Sequence, residues 1–194
     1  MQDGSLLLSL FFVPERMKAN PSNIILIGMP GSGKSTVGVL LAKFTSRSFI
    51  DSDILIQTQQ GRCLQDIVDR DGYLSLRRIE ENILLKLVCN NHVIATGGSA
   101  VYSQAAMEHL KRDGIVVFLD VDLPTLQARI SDFATRGLAK RPDQSVADLF
   151  VERLALYRKH ADVTIVCIGL THEAVCARIL KELDALRKGS GSSS

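Results

Sequence analysis

The chain has 194 residues, of which 46% are hydrophobic and 23% charged, and its formal net charge at pH 7 is +2. This length predicts one domain with a substantial core, and it excludes a motor or a large assembly ATPase with extra domains. The nearly balanced charge gives no electrostatic argument for nucleic acid as a partner.

The cysteines and histidines of the chain are too scattered to form a recognisable metal site. The four cysteines contain no C-x-x-C pair and the four histidines are dispersed, so no transition metal is expected. Reduced cysteines packed inside a cytosolic protein are the predicted state. The residues concerned are Cys63, Cys89, Cys167, Cys176, His92, His109, His160 and His172.

Both ends of the chain are predicted to lie outside the folded domain. The apolar run at residues 6–13 lacks the basic flank and cleavage site of a signal peptide, and it is too short to span a bilayer. Residues 1–20 are therefore interpreted as an extension, with Met17 as an alternative start, and no membrane association is expected. Residues 189–194 have the Gly/Ser composition of a flexible tail. The predicted domain covers residues 21–188.

The first strong pattern is a phosphate-binding loop. Residues 28–36 read Gly-Met-Pro-Gly-Ser-Gly-Lys-Ser-Thr and follow the apolar run at residues 24–27, which fits G-x-x-x-x-G-K-[ST] after a buried strand. Backbone amides of such a loop and the N-terminus of the following helix bind phosphate oxygens, and an unstructured Gly/Ser loop would not have this context. The sequence therefore predicts a nucleoside triphosphate site. Its expected ligands are Gly31, Ser32, Gly33, Lys34, Ser35 and Thr36.

Within this loop two side chains have distinct expected chemistry. Lys34 is predicted to reach the β- and γ-phosphates, and the Ser35 hydroxyl is predicted to ligate Mg²⁺. Mg²⁺ together with ATP as co-substrate is the only cofactor that the pattern requires.

Along the chain, short apolar runs alternate with segments of helical periodicity. Strands are predicted at residues 23–28, 48–51, 93–96, 115–120 and 163–168, and helices at residues 33–44, from Tyr73 to about 88, 103–112, 123–133, 146–160 and 171–186. Because the apolar runs are continuous, the strands should be parallel and covered on both faces. This alternation predicts an α/β three-layer sandwich whose ligands bind at the carboxyl ends of the strands.

Polar residues follow two of the predicted strands. Asp51 and Asp53 come after the second strand, where one carboxylate can hold Mg²⁺ through water and the other can accept a hydrogen bond from a substrate hydroxyl. A helix N-cap is the alternative for this pair, and the two roles are compatible. After the third strand, residues 96–99 read Thr-Gly-Gly-Ser, in which the backbone amides can approach a ligand. A tight turn explains these glycines almost equally well.

Two basic features lie away from the strand ends. Arg77 and Glu80 are three residues apart on a predicted helix, so an ion pair could orient the guanidinium. Residues 136–143 combine Gly, Pro and three cations, as expected of a mobile lid at about residues 134–145 that brings arginine to a phosphoryl group. Taken alone, either feature would also suit an ordinary solvated surface.

Together these motifs resemble the shikimate kinase family, over roughly residues 23 to 186. The phosphate loop, the Asp51/Asp53 pair and the Leu-Arg-Arg-Ile-Glu run at residues 76–80 match family motifs, as does Arg141-Pro142 in the lid. A family arginine four residues before a tyrosine corresponds to Arg153 before Tyr157.

The resemblance implies a P-loop kinase with the nucleoside-monophosphate-kinase fold and a parallel sheet of order 2-3-1-4-5. The implied reaction transfers the γ-phosphoryl group of ATP to the 3-hydroxyl of shikimate, on the route to chorismate and the aromatic amino acids. A cytoplasmic enzyme that acts as a monomer is expected.

The resemblance also implies roles for single residues. Arg77 and Arg153 would clamp the shikimate carboxylate, while Asp53, Gly97 and Gly98 would contact the ring hydroxyls. Asp53 would orient or deprotonate the attacking hydroxyl, and Ser35 and Asp51 would position Mg²⁺. Lys34 and Arg141 would stabilise the transferring phosphoryl group, and Arg136 would flank the adenine.

Several positions depart from the family pattern and keep alternatives open. Ser99 replaces the last glycine of a Gly-Gly-Gly motif, Leu76 replaces a phenylalanine, and Ala155 replaces a proline. Residues 143–144 are Asp-Gln where the family lid has Leu-Leu. A kinase for another hydroxylated acid such as gluconate, or a non-catalytic ATP-binding module, therefore remains an alternative. A GTPase is excluded because the chain has no N-K-x-D motif, and an ABC or AAA+ ATPase because Asp120 is followed by Val121.

Overall fold

The computed structural model describes residues 22–129 and 137–190. The chain forms a five-stranded, all-parallel sheet with helices on both faces. The strand order is β2-β3-β1-β4-β5, as the sequence predicts. The strands are β1 Asn23–Ile27, β2 Ser48–Asp51, β3 His92–Ala95, β4 Gly114–Asp120 and β5 Val163–Val166.

The predicted strands agree with the structure to within two residues at either end. The central strand β1 is buried along its whole length because β3 and β4 pair with its two edges and helices cover its faces. The expectation of burial on both faces is wrong for β5. This strand lies at an edge of the sheet, and alternate residues such as Val166 face solvent, with half of the Val166 surface exposed.

The structure contains two helices that the sequence pattern does not predict, α2 and α3. Both are short and follow one another between β2 and α4, so neither provides enough turns for a convincing apolar period. The helices are α1 Lys34–Thr45, α2 Ser52–Gln60, α3 Leu64–Asp71, α4 Tyr73–Lys86, α5 Gln104–Lys111, α6 Leu123–Arg129, α7 Val146–His160 and α8 His172–Ser190, with a 3₁₀ turn at Ala100–Tyr102.

Local signals fix where several of these helices begin. Asp51 caps α2 by accepting a hydrogen bond from the backbone amide of Asp53 at 2.9 Å. Ser145 and Asp148 form a capping box at the start of α7, in which each side chain bonds the other residue's backbone amide. The N-cap role considered for the Asp51 position is therefore confirmed.

Two apolar clusters stabilise the domain. The larger one joins both faces of the sheet to helices α1, α5, α7 and α8. The smaller one consists of Ile56, Ile67, Leu76, Ile83 and Ala139, and it joins α2, α3 and α4 to the chain that follows the undescribed residues 130–136. Burial of aliphatic side chains contributes about 1.5–3 kcal/mol for each residue. The smaller cluster thus provides a separate support for one end of the cavity described below.

The predicted peripheral segments lie largely outside the described residues. This holds for the extension at residues 1–20, for the first part of the predicted lid and for the end of the predicted helix at residues 123–133. The last helix, α8, continues to Ser190, two residues into the predicted tail. Within the two described ranges, no helix combines the length and the apolar character needed to cross a lipid bilayer.

Candidate active site

The phosphate loop connects β1 to α1 with the backbone geometry that its glycines permit. Gly31 and Gly33 have φ angles of 80° and 94°, in the left-handed region that residues with a side chain rarely adopt. Gly33 also forms the N-cap of α1, so the helix begins directly at the loop and directs its positive end there. The loop is therefore preorganised for an anion by conformation alone.

Lys34 lies buried at the base of this loop. Its Nζ donates hydrogen bonds to the carbonyl oxygens of Gly28 and Met29 at 2.8 and 2.9 Å. Burial lowers the pKa of Lys34 to about 8, although Asp53 and Asp51 nearby favour the charged form. A negatively charged phosphate would restore the preference for the ammonium form, since an opposite charge raises the pKa of a lysine.

Ser35 and Asp51 meet beside the loop. The Ser35 hydroxyl donates to Oδ2 of Asp51 at 2.6 Å, while Oδ1 of the same carboxylate caps α2. In the described parts of the chain, no group of three or more His, Cys, Asp or Glu side chains forms a metal site. A hydroxyl beside one carboxylate suits Mg²⁺, which usually keeps waters and takes phosphate oxygens with only one or two protein ligands.

Two carboxyl groups lie at the other end of the cavity. Burial raises the pKa of Asp53 above its ordinary value, and it raises the pKa of Glu80 to about 7 with a further contribution from Asp53. Oε2 of Glu80 accepts a hydrogen bond from the Ser99 hydroxyl. Oε1 of Glu80 has no hydrogen-bond partner among the described residues and lies beside Gly97.

The predicted ion pair between Arg77 and Glu80 is wrong. Glu80 bonds Ser99 instead, and the guanidinium of Arg77 donates to the carbonyl oxygen of Ala139 at 3.0 Å. Three-residue spacing placed the two side chains near each other along α4, but Glu80 is buried whereas Arg77 is only half-buried. Ser99, which departs from the family pattern, is thus the hydrogen-bond partner of Glu80 in place of Arg77.

Arg77 and Arg153 converge on a single acceptor. Each donates from Nη2 to the carbonyl oxygen of Ala139 at 3.0 Å, and neither forms an ion pair within the described ranges. The Nε atom of each is buried without a hydrogen-bond partner among the described residues. Arg153 is almost fully buried, at 1% exposure. A buried cation without a counter-ion is costly, so Arg153, with Arg77 beside it, is suited to bind an anion.

Most of these groups border one cavity of about 720 Å³ at the carboxyl ends of the strands. A cavity of this size suits a nucleotide together with a small second substrate. Leu76 and Ser99, two of the departures from the family pattern, both line it. The predicted residues that line it are Gly31, Gly33, Lys34, Ser35, Thr36, Asp53, Gly97, Gly98 and Arg153.

The remaining predicted site residues lie elsewhere. Ser32 is buried in the loop, Asp51 contacts the cavity through Ser35, and Arg77 borders an adjoining cleft. Arg141 does not line the cavity, and its half-exposed guanidinium pairs with Glu152 at 3.3 Å. Arg136 lies outside the described residues.

Sequence reasoning missed two parts of the cavity wall. One is the nucleotide end, where Arg129 and residues 170–173 contribute, and the other is the stretch from α2 to α3, where residues 56–57 and 63–65 contribute. Residues 137–139, within the predicted lid, also line the cavity. The first could have been anticipated because residues 170–173 follow β5, at the same edge of the sheet as the other motifs. The role of the Ala139 carbonyl has no signal in the sequence, because every residue has a backbone carbonyl.

Comparison with known proteins agrees with this site. The family model described as shikimate kinase matches residues 30–184. The chain belongs to the shikimate kinase family. The shikimate kinase of Thermodesulfovibrio yellowstonii is 36% identical over 171 residues, which cover 86% of this chain and 98% of that protein. The enzyme of Rippkaea orientalis is 37% identical over 170 residues, covering 86% and 90% of the two chains.

Solved structures show the same relationship. A shikimate kinase from Acinetobacter baumannii, solved in complex with shikimate, aligns with a TM-score of 0.79 at 32% identity and covers 87% of this chain and 95% of that one. The Aquifex aeolicus enzyme aligns with a TM-score of 0.69 at 31% identity and covers 85% and 98%. Thymidylate kinase from Candida albicans, at 12% identity and a TM-score of 0.52, shares only the fold.

Family membership confirms the activity predicted from the sequence. The chain is a P-loop kinase of the shikimate kinase family, and its reaction is the ATP-dependent phosphorylation of shikimate. Neither gluconate phosphorylation nor a non-catalytic role is favoured by these relatives.

Proposed function

We propose that Arg77 and Arg153 bind the carboxylate of shikimate at the acceptor end of the cavity. The observation that carries this assignment is their convergence on the Ala139 carbonyl, with a buried and unpaired Nε–H on each. A carboxylate offers two acceptor oxygens, each able to take charge-assisted hydrogen bonds from a guanidinium fork. A neutral carbonyl is a weaker partner for two cations than an anion is.

The ring hydroxyls of the acceptor are assigned to Asp53 and the backbone around Gly97 and Gly98. A Cβ atom on Gly98 would lie 2.7 Å from Cδ of Pro30 and 2.8 Å from Nη1 of Arg153, so only glycine leaves its amide open to a substrate here. Asp53 accepts the hydrogen bond of the attacking hydroxyl. Because burial raises the pKa of Asp53, its carboxylate is a better proton acceptor than an exposed one.

In the proposed reaction the hydroxyl oxygen of shikimate bonds to the γ-phosphorus of ATP while the bond to the β-phosphate oxygen breaks. The hydroxyl proton passes to Asp53 and ADP leaves. Lys34 and the amides of the phosphate loop stabilise the charge on the transferring group. Ser35 and, through water, Asp51 would hold Mg²⁺, which when bound would neutralise charge on the phosphates. The role predicted for Arg141 stays a prediction, because the structure pairs its guanidinium with Glu152 outside the cavity.

We further propose that the enzyme is cytoplasmic and acts as a monomer. All four cysteines are free thiols in the structure, as expected in a reducing compartment. One chain supplies both the phosphate loop and the arginine pair, so a second copy is not required for the site. Sedimentation of the full chain at assay concentrations tests the second statement.

The arginine assignment is tested by steady-state kinetics of Arg77→Lys and Arg153→Lys with shikimate and Mg·ATP varied separately. Lysine keeps the charge but loses the fork, so we expect the shikimate KM to rise about 10- to 100-fold, with the ATP KM within about 3-fold of wild type. Arg78→Lys and Arg158→Lys are matched controls, since both arginines are exposed neighbours on the same helices. Equal losses for both substrates would place the arginines outside the acceptor site.

A further inference from the structure

The aromatic ring of Tyr102 lies against the arginine pair. Cζ of Arg77 is 3.5 Å from the centroid of this ring, and Cζ of Arg153 is 5.5 Å from it. The face of an aromatic ring carries partial negative charge, so it attracts a guanidinium placed over it. Tyr102 therefore contacts both cations of the proposed carboxylate site without occupying the position of a substrate.

The far end of the Tyr102 side chain is fixed by Glu152. The Tyr102 hydroxyl donates to Oε1 of Glu152 at 2.6 Å, and Oε2 of Glu152 accepts from Nε2 of Gln144 at 2.6 Å. Glu152 directly precedes Arg153 on α7. Tyr102, Glu152 and Gln144 thus form one hydrogen-bonded unit, which adjoins Arg153 on α7.

This unit solves an electrostatic problem of the site. Arg77 and Arg153 are like charges that share one neutral acceptor, the Ala139 carbonyl, and cations shielded from water repel each other strongly. Charge on the ring face, and the carboxylate of Glu152 behind it, offset that repulsion. Without them the half-buried Arg77 would turn away from Arg153 towards solvent.

We propose that Tyr102 is a positioning residue for the acceptor, whose ring holds Arg77 beside Arg153 in the geometry that a carboxylate needs. This inference rests on the proposed function of the two arginines. It does not require Tyr102 to touch the substrate, because the ring acts through Arg77. The ring face is the essential feature, and the hydroxyl contributes only by fixing the ring to Glu152.

Two substitutions at Tyr102 distinguish the contribution of the ring face from that of the hydroxyl group. Tyr102→Leu removes both, and we expect the shikimate KM to rise about 5- to 20-fold with the ATP KM and kcat within about 3-fold of wild type. Tyr102→Phe keeps the face, so its shikimate KM should stay within about 3-fold of wild type. The matched control is Tyr73→Leu, because the ring of Tyr73 is 5.2 Å from Cζ of Arg77 and should matter less.

A readout specific to the carboxylate distinguishes positioning from a general loss of structure. We would measure the KM of shikimate and of its neutral carboxamide with wild type and each variant. In wild type the KM of the amide should be much higher than that of shikimate. In Tyr102→Leu the ratio of the amide KM to the shikimate KM should fall about 5- to 20-fold. A packing defect would weaken both acceptors equally and leave the ratio unchanged.

The outcomes separate this inference from the proposed function. If wild type discriminates between acid and amide and Tyr102→Leu discriminates equally well, the role of Tyr102 is overturned and the arginine site stands. If wild type does not discriminate, the arginine assignment fails and the role of Tyr102 fails with it. A collapse of the ratio in Tyr102→Leu, restored in Tyr102→Phe, supports the proposal.

Discussion

The carboxyl groups of Asp53 and Glu80 meet at Gly97, where the missing side chain leaves room for both. A Cβ atom on Gly97 would lie 2.6 Å from Oδ1 of Asp53 and would overlap Oε1 of Glu80. The charge of Asp53 adds to burial in raising the pKa of Glu80. The Ser99 hydroxyl donates a hydrogen bond to the other oxygen of Glu80, which fixes the orientation of this carboxyl group at the acceptor end.

Gly97→Ala should damage the acceptor end of the site selectively. The added methyl group must displace Asp53 or Glu80, and small displacements of positioning groups cost up to about 100-fold in rate. We expect kcat/KM for shikimate to fall at least about 10-fold, with the ATP affinity measured by calorimetry unchanged within about 3-fold. Gly61→Asn is the control, because no atom lies within 4 Å of a Cβ there and asparagine tolerates its left-handed backbone. Wild-type kinetics for Gly97→Ala would contradict this placement of the two carboxyl groups.

Glu80 should make stability depend on pH. The pKa of Glu80 is raised from 4.5, the ordinary value of a solvated glutamate, to about 7 in the folded protein. Between these pH values the folded protein keeps a proton that the unfolded chain has released. The free energy of unfolding contributed by this group therefore falls as pH rises through that window. Glu80→Gln removes the titration, and the variant should gain stability relative to wild type from pH 4.5 to 7.

Denaturant unfolding of both proteins across this pH range measures the difference. Glu182→Gln, at an exposed position of α8, is the matched control variant. A difference for Glu80→Gln that stays constant with pH would show that the fold does not raise the pKa of Glu80.

Lys34→Met should remove turnover without unfolding the protein. Lys34 is buried, and burial lowers its pKa to about 8 because a charged group is unfavourable there. An apolar side chain of similar length should therefore leave the thermal stability equal or higher. We expect kcat to fall about 100-fold or more, as when a group that stabilises transition-state charge is lost. Lys43→Met, at an exposed position of the same helix, should retain wild-type kcat. Retained turnover in Lys34→Met would remove the lysine from the mechanism.

Arg141→Gln should have a small effect on catalysis. The guanidinium pairs with Glu152 at the surface and does not line the cavity, and exposed ion pairs contribute about 0–1 kcal/mol. We expect kcat within about 3-fold of wild type, similar to that of the exposed control Arg158→Gln. A loss of about 100-fold in stopped-assay turnover would restore the phosphoryl-stabilising role that the lid pattern assigns to Arg141.

The phosphate end of the site could be predicted in detail because its residues are contiguous. Backbone amides, the positive-φ glycines and the start of α1 lie within nine residues, so local conformation alone creates the anion site. The parallel sheet followed similarly from alternating apolar runs. The short helices α2 and α3 escaped because eight or nine residues give little periodicity.

What the sequence could not provide is the choice of partners among distant groups. Glu80 lies three residues from Arg77 on the same helix, yet it bonds Ser99 after β3, because packing turns its side chain inward. Arg141 bonds Glu152 of α7, although its lid motif suggested a phosphoryl group.

The sequence by itself determined the fold, the phosphate loop and the family, because each depends on local conformation or on residue types at fixed spacing. Only the tertiary structure decided that Arg77 and Arg153 share the Ala139 carbonyl over the ring of Tyr102. These residues come from α4, from α7, from the 3₁₀ turn after β3 and from the chain before α7. Their meeting depends on how the helices pack on the sheet, which no spacing along the chain encodes.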